Sequence, residues 1–215
     1  MKNITAPIFA IDFEGSRKTG VVEYAAAEID GGEIASLRTR ICSPKTPISA
    51  RDAKFFGINN KTAAEEKPFS SALELFCGLR SAGMFASHNS CVEDSLLRDA
   101  LASPSAVTNF ASNRECTSWG PWIDTCALLR NLYPTLPSAK LSDAVAAFSL
   151  NARLDVLAEK FCPENRRKWH CAPYDALACA LLLIHICSQD GFENVSLAWL
   201  AKYSGTDDAQ QMSFF

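Results

Sequence analysis

The stretch Pro7-Ile8-Phe9-Ala10-Ile11-Asp12-Phe13-Glu14-Gly15 decides how the rest of the chain is read. Apart from Asp12, residues 7–13 form an apolar run with aromatic and β-branched side chains, the pattern of a buried strand. Asp12 and Glu14 interrupt the run at i and i+2, so on a strand both carboxylates leave the same face. Burying them unpaired is costly, and a divalent cation between them relieves their repulsion. A solvated strand end accounts for the pair equally well, so these two residues alone leave both readings open.

Outward from this strand, two further strands at 20–29 and 33–42 flank Asp30-Gly31-Gly32, a hairpin signal. A short helix is expected at 49–56, then a helix at 69–81 ended by Gly83 and a strand at 83–87. Leu96, Leu97 and Leu101 mark one face of a helix at 92–101. A polar loop spans 103–120, a strand near 122–125 passes into a helix at 126–132, and Pro134 and Pro137 break it. Further helices are expected at 140–148, 175–187 and 195–202. With strands first, helices later and no internal repeat, the class is α/β with a mixed sheet.

Two more polar clusters matter. His88-Asn89-Ser90-Cys91-Val92-Glu93-Asp94 follows the 83–87 strand and places acids in the opening turn of a helix. Such acids suit the helix dipole, and they are also candidate metal ligands. In His170-Cys171-Ala172-Pro173-Tyr174-Asp175, the aspartate opens a helix that is apolar for its next twelve residues. Helix capping explains the aspartate but not the histidine five residues before it.

The ordered series formed by IDFEG (11–15), SHNSCVEDSLL (87–97) and HCAPYDALACALLL (170–183) resembles the DEDDh 3′–5′ exonucleases, the family of the proofreading epsilon subunit of bacterial DNA polymerase III. ARDAKFFGI (50–58), DTCALLRNLYP (124–134) and KLSDAVAAF (140–148) resemble its intervening segments, so the likeness runs from residue 7 to about 188. It implies a ribonuclease-H-like fold, with a mixed five-stranded sheet flanked by helices. It also implies that Asp12, Glu14, Glu93 and Asp175 hold two Mg2+ or Mn2+ ions while His170 takes a proton from the attacking water. Phe13, Gly15, His88 and Asn89 are then candidate substrate contacts. One position departs from the pattern: the family's aspartate five residues after the histidine of the second motif is Glu93 here, with Asp94 next to it. The phase of the leucines favours Glu93.

The 215 residues suit a single domain, 1–203, with a tail at 204–215. A net charge of −3 argues against broad electrostatic adhesion to nucleic acid, though not against an enzyme that meets phosphates through metal ions. The nine cysteines are odd in number, scattered and without a CxxC pair, which suits buried thiols in a reducing cytoplasm. No signal-peptide pattern opens the sequence, and the apolar run 176–187 is too short to span a bilayer. Arg166-Arg167-Lys168 is either a phosphate grip or a solvated loop.

The partner expected from the resemblance is a nucleic-acid 3′ end, single-stranded DNA first. RNA trimming by the same site, or a degenerate fold that binds ends without cutting, remain as rivals. Gln211-Met212-Ser213-Phe214-Phe215 resembles the short motif by which bacterial replication and repair proteins bind the sliding clamp, with Gln211, Met212, Phe214 and Phe215 as contacts.

Overall fold

Alternation along the first strand, β1 (Ile8–Ser16), sets the architecture. Ile8 and Ala10 face one apolar layer, while Phe9, Ile11 and Phe13 face the other. Asp12 and Glu14 continue the first of these faces, so the carboxylates lie on the Ile8/Ala10 side of the sheet. The computed structural model describes residues 4–192 and 194–205. The expected clamp contacts Gln211, Met212, Phe214 and Phe215 lie outside the described residues.

Two antiparallel strands follow, β2 (Gly20–Asp30) and β3 (Glu33–Ile41). Next come α1 (Ala50–Phe56), α2 (Asn60–Ala64), a 3-10 turn at Phe69–Ala72 and α3 (Leu73–Ala82). Strand β4 (Met84–Ser87) pairs parallel with β1 and leads into α4 (Cys91–Ala100). The small ladder of β5 (Val107–Thr108) and β6 (Glu115–Cys116) precedes β7 (Trp122–Asp124), which pairs parallel with β4. The chain then runs through α5 (Thr125–Leu132), α6 (Leu141–Ala147), α7 (Asn151–Phe161), α8 (Ala172–Cys187) and α9 (Leu197–Tyr203). The main sheet has the order β3-β2-β1-β4-β7, the mixed five-stranded arrangement expected.

Helix α8 covers the Ile8/Ala10 face. Every residue of it except Asp175 and His185 is buried, as a helix apolar on all sides must be. Alanines on the sheet (Ala10, Ala25, Ala27) and on the helix (Ala172, Ala176, Ala180) belong to the same core, which lets the two backbones approach closely. The opposite layer is aromatic. Phe13, Tyr24, Phe69 and Phe76 meet edge-on or tilted with centroids 5.3–6.1 Å apart.

Several expected boundaries shift. The 69–81 helix opens as a 3-10 turn after Pro68. Helix α8 begins three residues before Asp175, with Pro173 in its first turn, where a missing N–H costs nothing. Asp175 is therefore a first-turn residue and not the cap. Helices α2 and α7 and the β5–β6 ladder were not expected. In α7 only Leu154 and Ala158 are buried, too sparse a stripe to announce a helix. All nine cysteines are free. Among the described residues no helix is long and apolar enough to cross a membrane.

Candidate active site

Three segments bring acids to one place. Strand β1 supplies Asp12 and Glu14, the first turn of α4 supplies Glu93, and the first turn of α8 supplies Asp175. Ligand atoms of Glu14, His170 and Asp175 all lie within 4.8 Å of one another. Asp12 feels the charges of Asp175, Glu14 and Glu93 together.

A bulge between Glu14 and Gly15 shapes the strand end. Gly15 has φ 144°, and a Cβ there would meet the Gly20 carbonyl oxygen at 2.2 Å, so no side chain fits beside Glu14. Glu93 is 5 % exposed, and the Ser87 hydroxyl donates to its Oε2 at 3.1 Å. Its neighbour Asp94 is engaged elsewhere, accepting from Trp122 Nε1 at 3.0 Å and pairing with Arg98 at 2.6 Å. The leucine phase read from the sequence thus matches the observed helix, with Glu93 turned toward the carboxylates and Asp94 away.

His170 is exposed and takes a left-handed backbone, φ 63°. Its N–H donates to Asp175 Oδ2 at 3.1 Å. The other oxygen, Asp175 Oδ1, is buried without a protein partner.

Crowding of buried carboxylates raises their proton affinity. Burial, then the charges of Asp175, Glu14 and Glu93, hold the Asp12 carboxyl well above the usual carboxylate range. Burial and the charges of Asp175 and Glu23 push Glu14 up to about 8, against the pull of Arg166. Burial pushes Glu93 up to about 8 despite the Ser87 hydroxyl, and Asp175 up to about 7 despite the His170 N–H. A cluster of oxygen donors that would rather be protonated than charged together, with one buried oxygen unpartnered, fits hard divalent cations such as Mg2+ or Mn2+.

Other expected contacts fall differently. The Phe13 ring points into the aromatic core on the far side of the sheet, so only its backbone borders the site. The His88 ring is held at both nitrogens, Nε2 at 2.7 Å from the Ala139 carbonyl and Nδ1 at 2.8 Å from Thr125 Oγ1. Its imidazole straps the start of α5 to the loop that precedes α6 and offers no ring nitrogen to a substrate. Asn89 is exposed with φ 78°, its N–H donating to Asp124 Oδ1. Arg166 is not a phosphate grip: it is 4 % exposed and pairs through two nitrogens with Glu23. Arg167 donates to the Cys162 and Glu159 carbonyls near the end of α7.

Two residues that sequence reasoning passed over support the site. Glu23 stands opposite Glu14 in the β1–β2 register and also accepts from the Ala172 N–H at the start of α8, 2.8 Å. The signal was present, since Glu23 is a charge inside the apolar run Val21-Val22-Glu23-Tyr24-Ala25 and such a charge demands a partner. Asp124 caps α5 and accepts from the Asn89 and Ser90 N–H groups, which anchors the turn before α4.

No family model and no curated protein matches the chain. Solved structures do. Exonuclease X in complex with 5′ overhanging duplex DNA is similar at 22 % identity and a TM-score of 0.67, over 93 % of this chain and 99 % of that one. The nuclease domain of 3′hExo, a DEDDh family member bound to rAMP, is similar at 15 % identity and 0.64, over 92 % and 100 %. E. coli exonuclease I with a dT13 oligonucleotide is similar at 13 % and 0.63, over 97 % of this chain but 46 % of that one. At these identities the likeness is one of fold, which the chain shares with these exonuclease structures.

Proposed function

We propose that this chain is a divalent-metal-dependent 3′–5′ exonuclease that hydrolyses phosphodiester bonds at the 3′ ends of DNA. The observation that supports it best is the gathering of Glu14, His170 and Asp175 within 4.8 Å, with Asp12 feeling the charges of Glu14, Glu93 and Asp175 and with Asp175 Oδ1 buried without a protein partner. A scaffold shared with nucleases carries function only through such a site.

In this reading the four carboxylates hold the cations, which when bound supply the positive charge and Lewis acidity for phosphodiester hydrolysis. Ser87 keeps Glu93 aimed inward. His170 accepts the proton of the attacking water on an imidazole nitrogen, a role open to an unprotonated ring nitrogen within reach of that water. Its exposed position leaves the residue within reach of solvent. The missing side chain of Gly15 admits the Gly20 carbonyl of β2, so a terminal nucleotide would meet only the Gly15 backbone beside Glu14.

The test is release of mononucleotides from 3′-labelled single-stranded DNA, duplex DNA and RNA with Mg2+ or Mn2+, against a chelator control. Cleavage of DNA ahead of RNA supports the reading. RNA ahead of DNA moves the substrate to the class of the neighbour described as recognising the histone mRNA stem-loop. No cleavage of any of the three leaves an end-binding module. The clamp contact through Gln211–Phe215 is supported by the sequence motif alone, and calorimetric titration of a bacterial clamp with the chain and with a version ending at Gln210 checks it.

A further inference from the structure

The Phe55 ring lies over the His170 ring, with centroids 4.0 Å apart and planes 31° from parallel. Phe55 is 54 % exposed, whereas its neighbour Phe56 is buried in a small cluster with Val22, Ile48 and Ile58. Core packing therefore accounts for Phe56 and leaves the exposed phenylalanine unexplained.

The backbone around the pair is fixed by buried groups. Arg166, tied to Glu23, also donates through Nη1 to the Phe56 carbonyl at 2.8 Å, which binds the last turn of α1 to the segment leading to His170. Gly57 then ends α1 in the left-handed conformation. On the other side, Glu23 accepts from Ala172 N–H and Asp175 from His170 N–H. His170 is left in a backbone region that costs a non-glycine residue on the order of 1 kcal/mol, and strain of this kind is retained where the surroundings impose it. The backbone is thus held, while the exposed imidazole has its side-chain torsions to fix. A flat apolar ring at 4.0 Å restricts them.

We propose that Phe55 is a positioning residue for His170, holding the imidazole toward Glu14 and Asp175 so that its free nitrogen meets the attacking water. The inference rests on the exonuclease reading. Misplacing a proton acceptor by about 1 Å costs up to about a hundredfold in rate without requiring weaker substrate binding.

The experiment is steady-state kinetics on 3′-labelled single-stranded DNA with the full chain carrying Phe55→Ala, Phe55→Tyr, His170→Ala and the Phe55→Ala/His170→Ala pair, with melting curves for each. The expected result is a kcat lowered about tenfold or more in Phe55→Ala, with KM within about twofold and melting unchanged. Phe55→Tyr recovers most of that loss, and in the His170→Ala background Phe55→Ala costs nothing further. A raised KM at constant kcat makes Phe55 a platform for the substrate instead and overturns the proposal. Equal losses in both backgrounds, or no loss at all, overturn it too. An inactive parent chain is a failure of the exonuclease reading, and the kinetics separate it from these outcomes.

Discussion

Glu14 on β1 and Glu23 on β2 face each other in register, and Arg166 donates two hydrogen bonds to Glu23 and none to Glu14. Glu23 accepts from Arg166 Nε and Nη2 and from the Ala172 N–H, so its charge is consumed in joining β2 to the start of α8. Glu14 is left facing Asp175 and His170. One carboxylate is structural and its cross-strand neighbour is available for chemistry.

This division makes Arg166 a stability residue. Arg166→Met leaves Glu23 buried at 1 % exposure without its cation, and breaking such a pair from one side costs about 3–5 kcal/mol. The urea midpoint should fall accordingly, whereas Arg167→Met, an exposed residue bonded to carbonyls, should cost under about 1 kcal/mol. Similar midpoints for the two variants would remove the strut.

The carboxylate cluster predicts an inverted pH dependence of stability in the metal-free protein. Folded-state affinities of Glu14, Glu93 and Asp175 are raised to about 8, about 8 and about 7, above their unfolded values. Between the unfolded and folded values the native state binds more protons, so stability falls as pH rises through that window. Metal-free melting should be higher at pH 5.5 than at pH 8.5, with Mg2+ or Mn2+ recovering the loss at the higher pH. Asp12→Asn should melt above wild type in chelator at pH 8.5. Melting that rises with pH in chelator would contradict the crowding.

Glu93 and Asp94 should separate cleanly. Glu93→Gln removes a charge from the cluster and should lower the nuclease rate about a hundredfold or more, since several kcal/mol of charge stabilisation depend on it. Asp94→Asn keeps an acceptor for Trp122 and loses the ion pair with Arg98, so the rate should hold within about twofold and stability within about 1 kcal/mol. Parallel rate measurements decide, and the reverse ranking would move the site by one residue.

Gly15→Ala sets a Cβ 2.2 Å from the Gly20 carbonyl oxygen in a backbone that L residues avoid. The bulge must open, which should cost more than about 1 kcal/mol and displace Glu14. Calorimetric metal titration should show weaker binding in this variant. Unchanged binding with an unchanged melt would mean that the bulge has no part in placing Glu14.

Local pattern carried much of this protein. Period-two alternation in β1 set Asp12 and Glu14 on one face, the unbroken apolar run of α8 declared a buried helix, and the leucine phase of α4 turned Glu93 inward. These readings succeed because strand and helix geometry fix which side chains share a face before any tertiary contact forms. The placement of His88, Arg166 and Phe55 was decided only when the chain folded. His88 finds the carbonyl of a residue 51 positions away, Arg166 a carboxylate 143 positions away, and Phe55 an imidazole on a loop that α7 and the following turn deliver. Such pairings depend on sheet order and on how helices lie across the sheet. A residue's own neighbourhood says that a buried charge needs a partner, and only the tertiary structure says which residue supplies it, because that is set by the packing of segments remote in sequence.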